Sequence, residues 1–274
     1  MAGIHVLSLE TDQIVMFVDI QNFGDFVWKE FPNKGVVDEK RKTERKIITN
    51  WDGIQNWFFA DNSQAHQNNL GYKFRFISDS FVFAVSPGNL HVVLDSLWTI
   101  ARVLVQEGLL LRGGIAFGDQ HFEQNIIGAP YMGAYAVESK IANFFRFLMR
   151  RDHYRQCEPN IRDDIKRFFV DIDDHGIMYT PKGAIARQHG FPDMLQYPED
   201  FVEFDFYRYL LSDLPSPASL DRPQRLHWLK EYLNIIEEEL KQQLEQKVVD
   251  KYEWLRRRLF SIITENDMES DFSQ

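Results

Sequence analysis

Residues 14–20 read Ile-Val-Met-Phe-Val-Asp-Ile, five apolar side chains running straight into an aspartate. An unbroken apolar run of this length marks a strand covered on both faces. Asp19 then sits at or near the carboxyl end of that strand, where open α/β sheets gather ligands and metals. A carboxylate there is either a cap for the next turn or a metal ligand, and the run itself does not decide which. A second stretch bears on the choice. Residues 72–85 read Tyr-Lys-Phe-Arg-Phe-Ile-Ser-Asp-Ser-Phe-Val-Phe-Ala-Val. Apolar positions alternate on both sides of Ser78-Asp79-Ser80, which predicts a hairpin with Asp79 at its tip.

Between these stretches, Ile47, Ile48, Trp51, Ile54, Trp57 and Phe58 recur at helical spacing. After the hairpin, Pro87-Gly88-Asn89 breaks the chain, with Asn89 as N-cap. Leu90, Val93, Leu94, Leu97, Ile100, Ala101, Leu104 and Val105 then mark a second helix, ended by Gly108. Residues 109–118 form a fourth strand whose glycines allow close backbone approach. The order β-α-β-β-α-β predicts an α+β fold with a ferredoxin-like split core. In that core the third strand lies between the first two and runs antiparallel to them. The end of strand one is then beside the start of strand three, and Asp19 and Asp79, 60 residues apart, are expected to meet.

Farther on, residues 131–149 read as a helix with one apolar face. Residues 168–179 read as two strands around the acidic turn Asp171-Ile172-Asp173-Asp174-His175-Gly176, a solvated turn rather than a cation site because its acids are adjacent, not convergent. Residues 220–266 form a long charged helical region with an apolar set that includes Trp228, Leu229, Tyr232, Tyr252, Trp254 and Leu255. The expected division is residues 1–190 as the site-bearing domain and residues 191–274 as a helical extension. That extension packs on the core or on a second subunit and ends in an acidic, disordered tail. A net charge of −10 offers no broad basic field to nucleic acid. The single cysteine, Cys157, excludes an internal disulfide and a cysteine zinc cluster and fits a reducing cytoplasm. No 18-residue apolar run and no basic leader occur, so neither a membrane span nor a signal peptide is expected.

Two convergent carboxylates with no cysteine or histidine beside them suit hard cations, Mg²⁺ or Mn²⁺. Such a pair commonly holds two ions about 3.5–4 Å apart for phosphoryl transfer. The backbone of residues 20–23 could offer N–H groups to a phosphate where the next helix begins. Arg112, a charge in the apolar fourth strand, either reaches to solvent or clamps a polyphosphate, and two acids nearby favour the clamp.

These residues carry a resemblance. Phe17-Val18-Asp19-Ile20-Gln21-Asn22-Phe23 resembles the first metal motif of class III nucleotide cyclases, Phe-x-Asp-Ile-x-x-Phe. Ser78-Asp79, followed by residues 81–85, is similar to their Gly-Asp motif with Ser for Gly. Arg112-Gly113-Gly114-Ile115-Ala116-Phe117-Gly118 is similar to their Arg-Val-Gly-Ile-His-x-Gly strand. The resemblance covers roughly residues 12–145 and implies a homodimer with catalytic sites at its interface. It implies two divalent ions on Asp19, Asp79 and the backbone carbonyl of Ile20, with phosphates against the backbone of Gln21, Asn22 and Phe23. The reaction implied is attack of a ribose 3′-hydroxyl on the α-phosphate of a nucleoside triphosphate, with release of pyrophosphate.

The departures from the pattern also inform. The family's first base-reading residue, Lys or Glu, is replaced by Arg75, and the second by Asn125; its transition-state Asn and Arg fall on Met132 and Ala136. Residues 127–138 and the chain's length look like the divergent branch that makes cyclic pyrimidine nucleotides, the Pycsar antiphage cyclases. That resemblance implies a cytoplasmic cyclase whose product acts on a separate cyclic-nucleotide effector. Arg75 only donates. Uracil offers it O2 and O4 and can donate its N3–H to Asn125, whereas cytosine presents an amino group to Arg75. The expectation is therefore conversion of UTP to cyclic UMP, with Trp51 as a candidate to narrow the base pocket. Conversion of CTP to cyclic CMP, a purine cyclase and an inactive nucleotide-binding domain are the alternatives.

Overall fold

The computed structural model describes residues 9–21, 71–77, 79–105, 109–122, 126–142, 144–172, 198–212, 222–241, 244 and 246–265. The expected first helix with Trp51, the candidate residues Asn22, Phe23 and Asn125, and the second arm of the acidic hairpin lie outside the described residues. Strand β1, Glu10–Gln21, runs through the interior of the sheet, and residues 14–18 are buried without a break. Its alternate side chains feed two separate cores. Ile14, Met16, Val18 and Ile20 join the larger one; Val15 and Phe17 join a smaller one with Val82, Ala84, Ala116 and Ala134. Side chains of a strand alternate with period two, so Asp19 follows Val15 and Phe17 onto the smaller-core face.

Strands β2, Tyr72–Ile77, and β3, Ser80–Val85, form the expected antiparallel hairpin. β3 lies against β1 with Ser80 opposite Asp19, and β4, Leu110–Phe122, lies on the other side of β1 with Arg112 opposite Asp19. The order β2-β3-β1-β4 is that of the split core, with the third strand between the first two. Helix α1, Leu90–Val105, packs Leu90, Val93, Leu94, Leu97, Ile100, Ala101 and Leu104 into the larger core, the set that its periodicity marks.

After β4 the chain departs from expectation. A two-residue strand β5, Ile126–Ile127, pairs back on β4, and helix α2, Ala129–Lys140, follows. The helix expected across 131–149 stops at Lys140, and β6, Phe147–Arg150, pairs parallel with β4 instead. The reason lies in residues 144–149, six consecutive buried positions. Five of the six are apolar and the sixth, Arg146, is paired with Glu203, so the run suits a strand covered on both sides, and it pairs an edge of β4 that would otherwise stand open.

Short helices α3, Arg151–Cys157, and α4, Asp163–Lys166, lead to β7, Phe169–Asp171. β7 pairs with β8, Phe201–Phe204, and the sheet continues as β4-β6-β8-β7. It therefore draws on residues beyond 190. Helix α5, Phe206–Leu210, follows, and the long helical region resolves into α6, Arg222–Leu240, and α7, Gln246–Glu265. Both pack on the larger core, with Trp228 of α6 stacked on Trp98 of α1 at 5.8 Å between ring centres. No described helix is long and apolar enough to cross a membrane.

A buried ionic network ties α7 to the sheet. Asp205, 1% exposed, caps α5 by accepting the Arg208 N–H at 3.1 Å and accepts from Arg258 Nη2 of α7 at 2.7 Å. Glu203 beside it pairs with Arg146 at 3.3 Å. Removing one member of a buried ion pair strands the other and costs about 3–5 kcal/mol. Asp205→Ala is expected to lower the free energy of unfolding in urea by that amount. A loss of about 0.5 kcal/mol, the scale of a surface substitution, would show that Arg258 swings out to water.

Candidate functional site

Four strands place Ile77, Ser80, Asp19 and Arg112 side by side in one row of the sheet. Ser80 Oγ donates to Asp19 Oδ1 at 3.4 Å, and the Gln21 side-chain amide, one strand repeat farther on, donates to Asp19 Oδ2. Asp79 occupies the turn just before β3. Its backbone carbonyl accepts the Ile20 N–H at 3.2 Å, so the turn is tied to the residue after Asp19. The two aspartates thus belong to adjoining backbone segments at one end of the sheet.

The other half of the site comes from α2, and glycine sets its approach. A Cβ on Gly114 would lie 1.9 Å from the Ala134 carbonyl oxygen and 2.7 Å from the Glu138 nitrogen. Only a residue without a side chain lets the helix come this near to β4. Glu138, one helical turn beyond Ala134, is thereby carried over Arg112, which shares Gly114's face of the strand. Arg112 Nη2 is 2.6 Å from Glu138 Oε1 and 3.3 Å from Asp19 Oδ2, and Nη1 donates to the Ala142 carbonyl at 3.5 Å. Glu138 Oε1 and Arg112 Nε are buried without a hydrogen bond, so the Arg112–Glu138 contact is one of charge rather than direction. Sequence reasoning missed Glu138. The available signal was an acid one turn beyond Gly133-Ala134, the small residues that face Ala116 and Gly114 of β4.

Burial pushes the Glu138 carboxyl up to about 7, against the pull of Arg112, and the charge of Asp19 adds to the rise. Burial likewise raises Asp19. Arg112 holds it back, and the negative charge of Asp79 raises it further. Asp19 and Glu138 flank one guanidinium and the charge of Asp79 acts on both, which leaves a local excess of negative charge with oxygen donors only. That is the chemistry of a hard-cation site. Among the described residues no three His, Cys, Asp or Glu side chains converge as a ready-made metal cluster. Mg²⁺ is usually held by one or two carboxylates plus substrate phosphates, so Asp19 and Asp79 fit the ions that the sequence implies.

The remaining candidates are distributed as follows. Arg75 of β2 is half-buried and stands opposite Val82, which stands opposite Phe17. It therefore shares Asp19's face of the sheet, two strand spacings, about 10 Å, from Phe17. The Gln21 side chain is committed to Asp19, and Ile20 buries its side chain in the larger core. Met132 is exposed and Ala136 buried on α2, while Tyr131 and Tyr135 set their rings against Phe17 at 6.1 and 5.2 Å.

No protein-family model matches the sequence, and no curated protein matches it. Solved structures do. The adenylyl cyclase CyaB from P. aeruginosa is 14% identical with a TM-score of 0.42, over 78% of this chain and 100% of that one. An adenylate/guanylate cyclase/hydrolase from Silicibacter pomeroyi is 12% identical with a TM-score of 0.36, over 60% of this chain and 87% of the other. A bacterial light-regulated adenylyl cyclase is 13% identical with a TM-score of 0.35, over 56% of this chain. This chain spans 46% of the length of that light-regulated protein. Likeness at this level leaves the chemistry of the site to be read from its own geometry.

Proposed function

We propose that the chain is a nucleotidyl cyclase that converts a pyrimidine nucleoside triphosphate, UTP before CTP, to its 3′,5′-cyclic monophosphate and pyrophosphate. The observation that carries this reading is the meeting of Asp19, the Asp79 turn and Arg112 at one end of the sheet. Asp19 and Asp79 would hold two Mg²⁺ or Mn²⁺ ions. When bound, the ions lower the charge on the phosphates and favour the ionised 3′-hydroxyl. Arg112 supplies a permanent positive charge where the triphosphate lies, which offsets charge developing on the leaving pyrophosphate. Arg75 supplies hydrogen-bond donors on the same face, suited to the carbonyl oxygens of uracil. The exposed apolar residues Met132 and Tyr135 on α2, the helix that carries Glu138 to the site, support a homodimer that closes over it. By resemblance, the cyclic nucleotide would serve as a messenger in antiphage defence, acting on a separate effector.

The test is incubation of purified protein with each of the four triphosphates and Mn²⁺, with chromatography of the cyclic product and measurement of pyrophosphate. UTP is expected to give cyclic UMP, with catalytic efficiency roughly ten- to a hundredfold above ATP and GTP, the scale of one buried donor losing its acceptor. Purines cyclised as well as pyrimidines would make Arg75 an ordinary strand residue. Absence of pyrophosphate from all four would leave a nucleotide-binding domain without turnover.

A further inference from the structure

We propose that Glu138 is a positioning residue: it keeps the Arg112 guanidinium from closing a two-pronged ion pair on Asp19 and so keeps Asp19 able to take a divalent cation. The inference rests on the two-ion reading above and adds a residue to it. Arg112 stands directly opposite Asp19 across β1 and β4. Opposed side chains there have their Cβ atoms about 4.5–5.5 Å apart. An arginine and an aspartate so placed close readily into a two-pronged ion pair, which would neutralise the carboxylate that a cation needs. The pair is not closed in this way. Arg112 Nη2 is nearer to Glu138, 2.6 Å, than to Asp19, 3.3 Å. Nη1 is turned to the Ala142 carbonyl.

Two features make Glu138 the cause rather than a bystander. Its side chain is only 4% exposed, so its pull on Arg112 is little screened by solvent. Its position is also fixed. The contact of Gly114 with Ala134 and Glu138 sets the height of α2 over the strand, so the carboxylate reaches Arg112 from a defined point. A shorter acid at 138 would keep the charge and lose the reach.

Binding of Mn²⁺ alone, without nucleotide, measured by the electron paramagnetic resonance of free Mn²⁺, tests this directly. Melting curves on each variant report folding. Glu138→Gln is expected to weaken Mn²⁺ binding about tenfold, within the range seen for coupling between groups of one network. Glu138→Asp is expected to weaken it similarly, although the charge is retained. In an Arg112→Met background, Glu138→Gln should change Mn²⁺ affinity by less than about twofold, because the group through which Glu138 acts is gone. Wild-type affinity in Glu138→Asp, or equal weakening by Glu138→Gln with and without Arg112, would show a simple field effect and overturn the proposal. Unchanged Mn²⁺ binding in Glu138→Gln overturns it too. If Glu138→Gln does not fold, Glu138→Asp carries the same expectation. Wild-type protein that binds no Mn²⁺ at all would remove the two-ion reading itself. Wild-type protein that binds Mn²⁺ and releases pyrophosphate, with variants to match, removes only the role of Glu138.

Discussion

Asp19→Asn and Asp79→Asn are each expected to cut pyrophosphate release about a thousandfold at saturating UTP and Mn²⁺. Ions in such a site contribute several kcal/mol of transition-state stabilisation. At 1.36 kcal/mol per factor of ten, the loss of about 4 kcal/mol gives that figure. The fold should survive. Asparagine is isosteric with aspartate, and neutralising Asp19 removes a charge that raises the Glu138 carboxyl and is itself raised by the charge of Asp79. A melting curve at or above the wild-type temperature, together with lost turnover, is the expected pair of results. Turnover within tenfold of wild type in either variant would end the two-ion mechanism.

Gly114→Ala is the substitution expected to do most harm to the fold. The new methyl would meet backbone, the Ala134 carbonyl at 1.9 Å and the Glu138 nitrogen at 2.7 Å, and no rotamer can relieve it. Helix α2 must lift from β4, which separates Arg112 from Glu138 and opens the smaller core. Overpacking of this kind costs about 3 kcal/mol, and more where backbone has to move. Gly133→Ala is the internal control. Its methyl would meet only the Ala116 side chain at 3.4 Å. Alanine also gains up to about 1 kcal/mol over glycine inside a helix, so this variant should be neutral or slightly more stable. Urea denaturation of the two proteins side by side decides it, and equal stability would mean that α2 does not rest on Gly114.

The parts legible in the sequence were those whose signal is long or two-sided. The apolar run of β1, the alternation around Asp79 and the spacing of α1 each extend over enough residues to define a period. The split-core order then placed Asp79 beside Asp19 without any local signal for that contact. Arg112 stood out as a charge in an apolar strand. The rest was written in weaker signs. β6 and β8 are four residues each, and β7 is three. Too short to show a period, they are strands because each finds an edge to pair, β6 on β4, β8 on β6 and β7 on β8. Helix α2 packs through Gly133 and Ala134, which carry almost no hydrophobic weight, so the face that matters leaves no stripe to read. Glu138 was hidden for the same reason, as its neighbours on that face are small rather than apolar.

The sheet order also governs how the protein is made. β1 leaves the ribosome before either of its two neighbours, β3 and β4. Ser80, which pairs with Asp19, comes 61 residues later. At about 5–20 residues per second of synthesis, the bare strand waits roughly 3–12 s for its first partner and longer for its second. During that interval residues 14–18 form an uncharged apolar segment with both edges unpaired, the kind of segment that nascent-chain chaperones hold. Yield of folded protein in a cell should therefore depend on chaperone supply and on the pace of translation across the residues between β1 and β3.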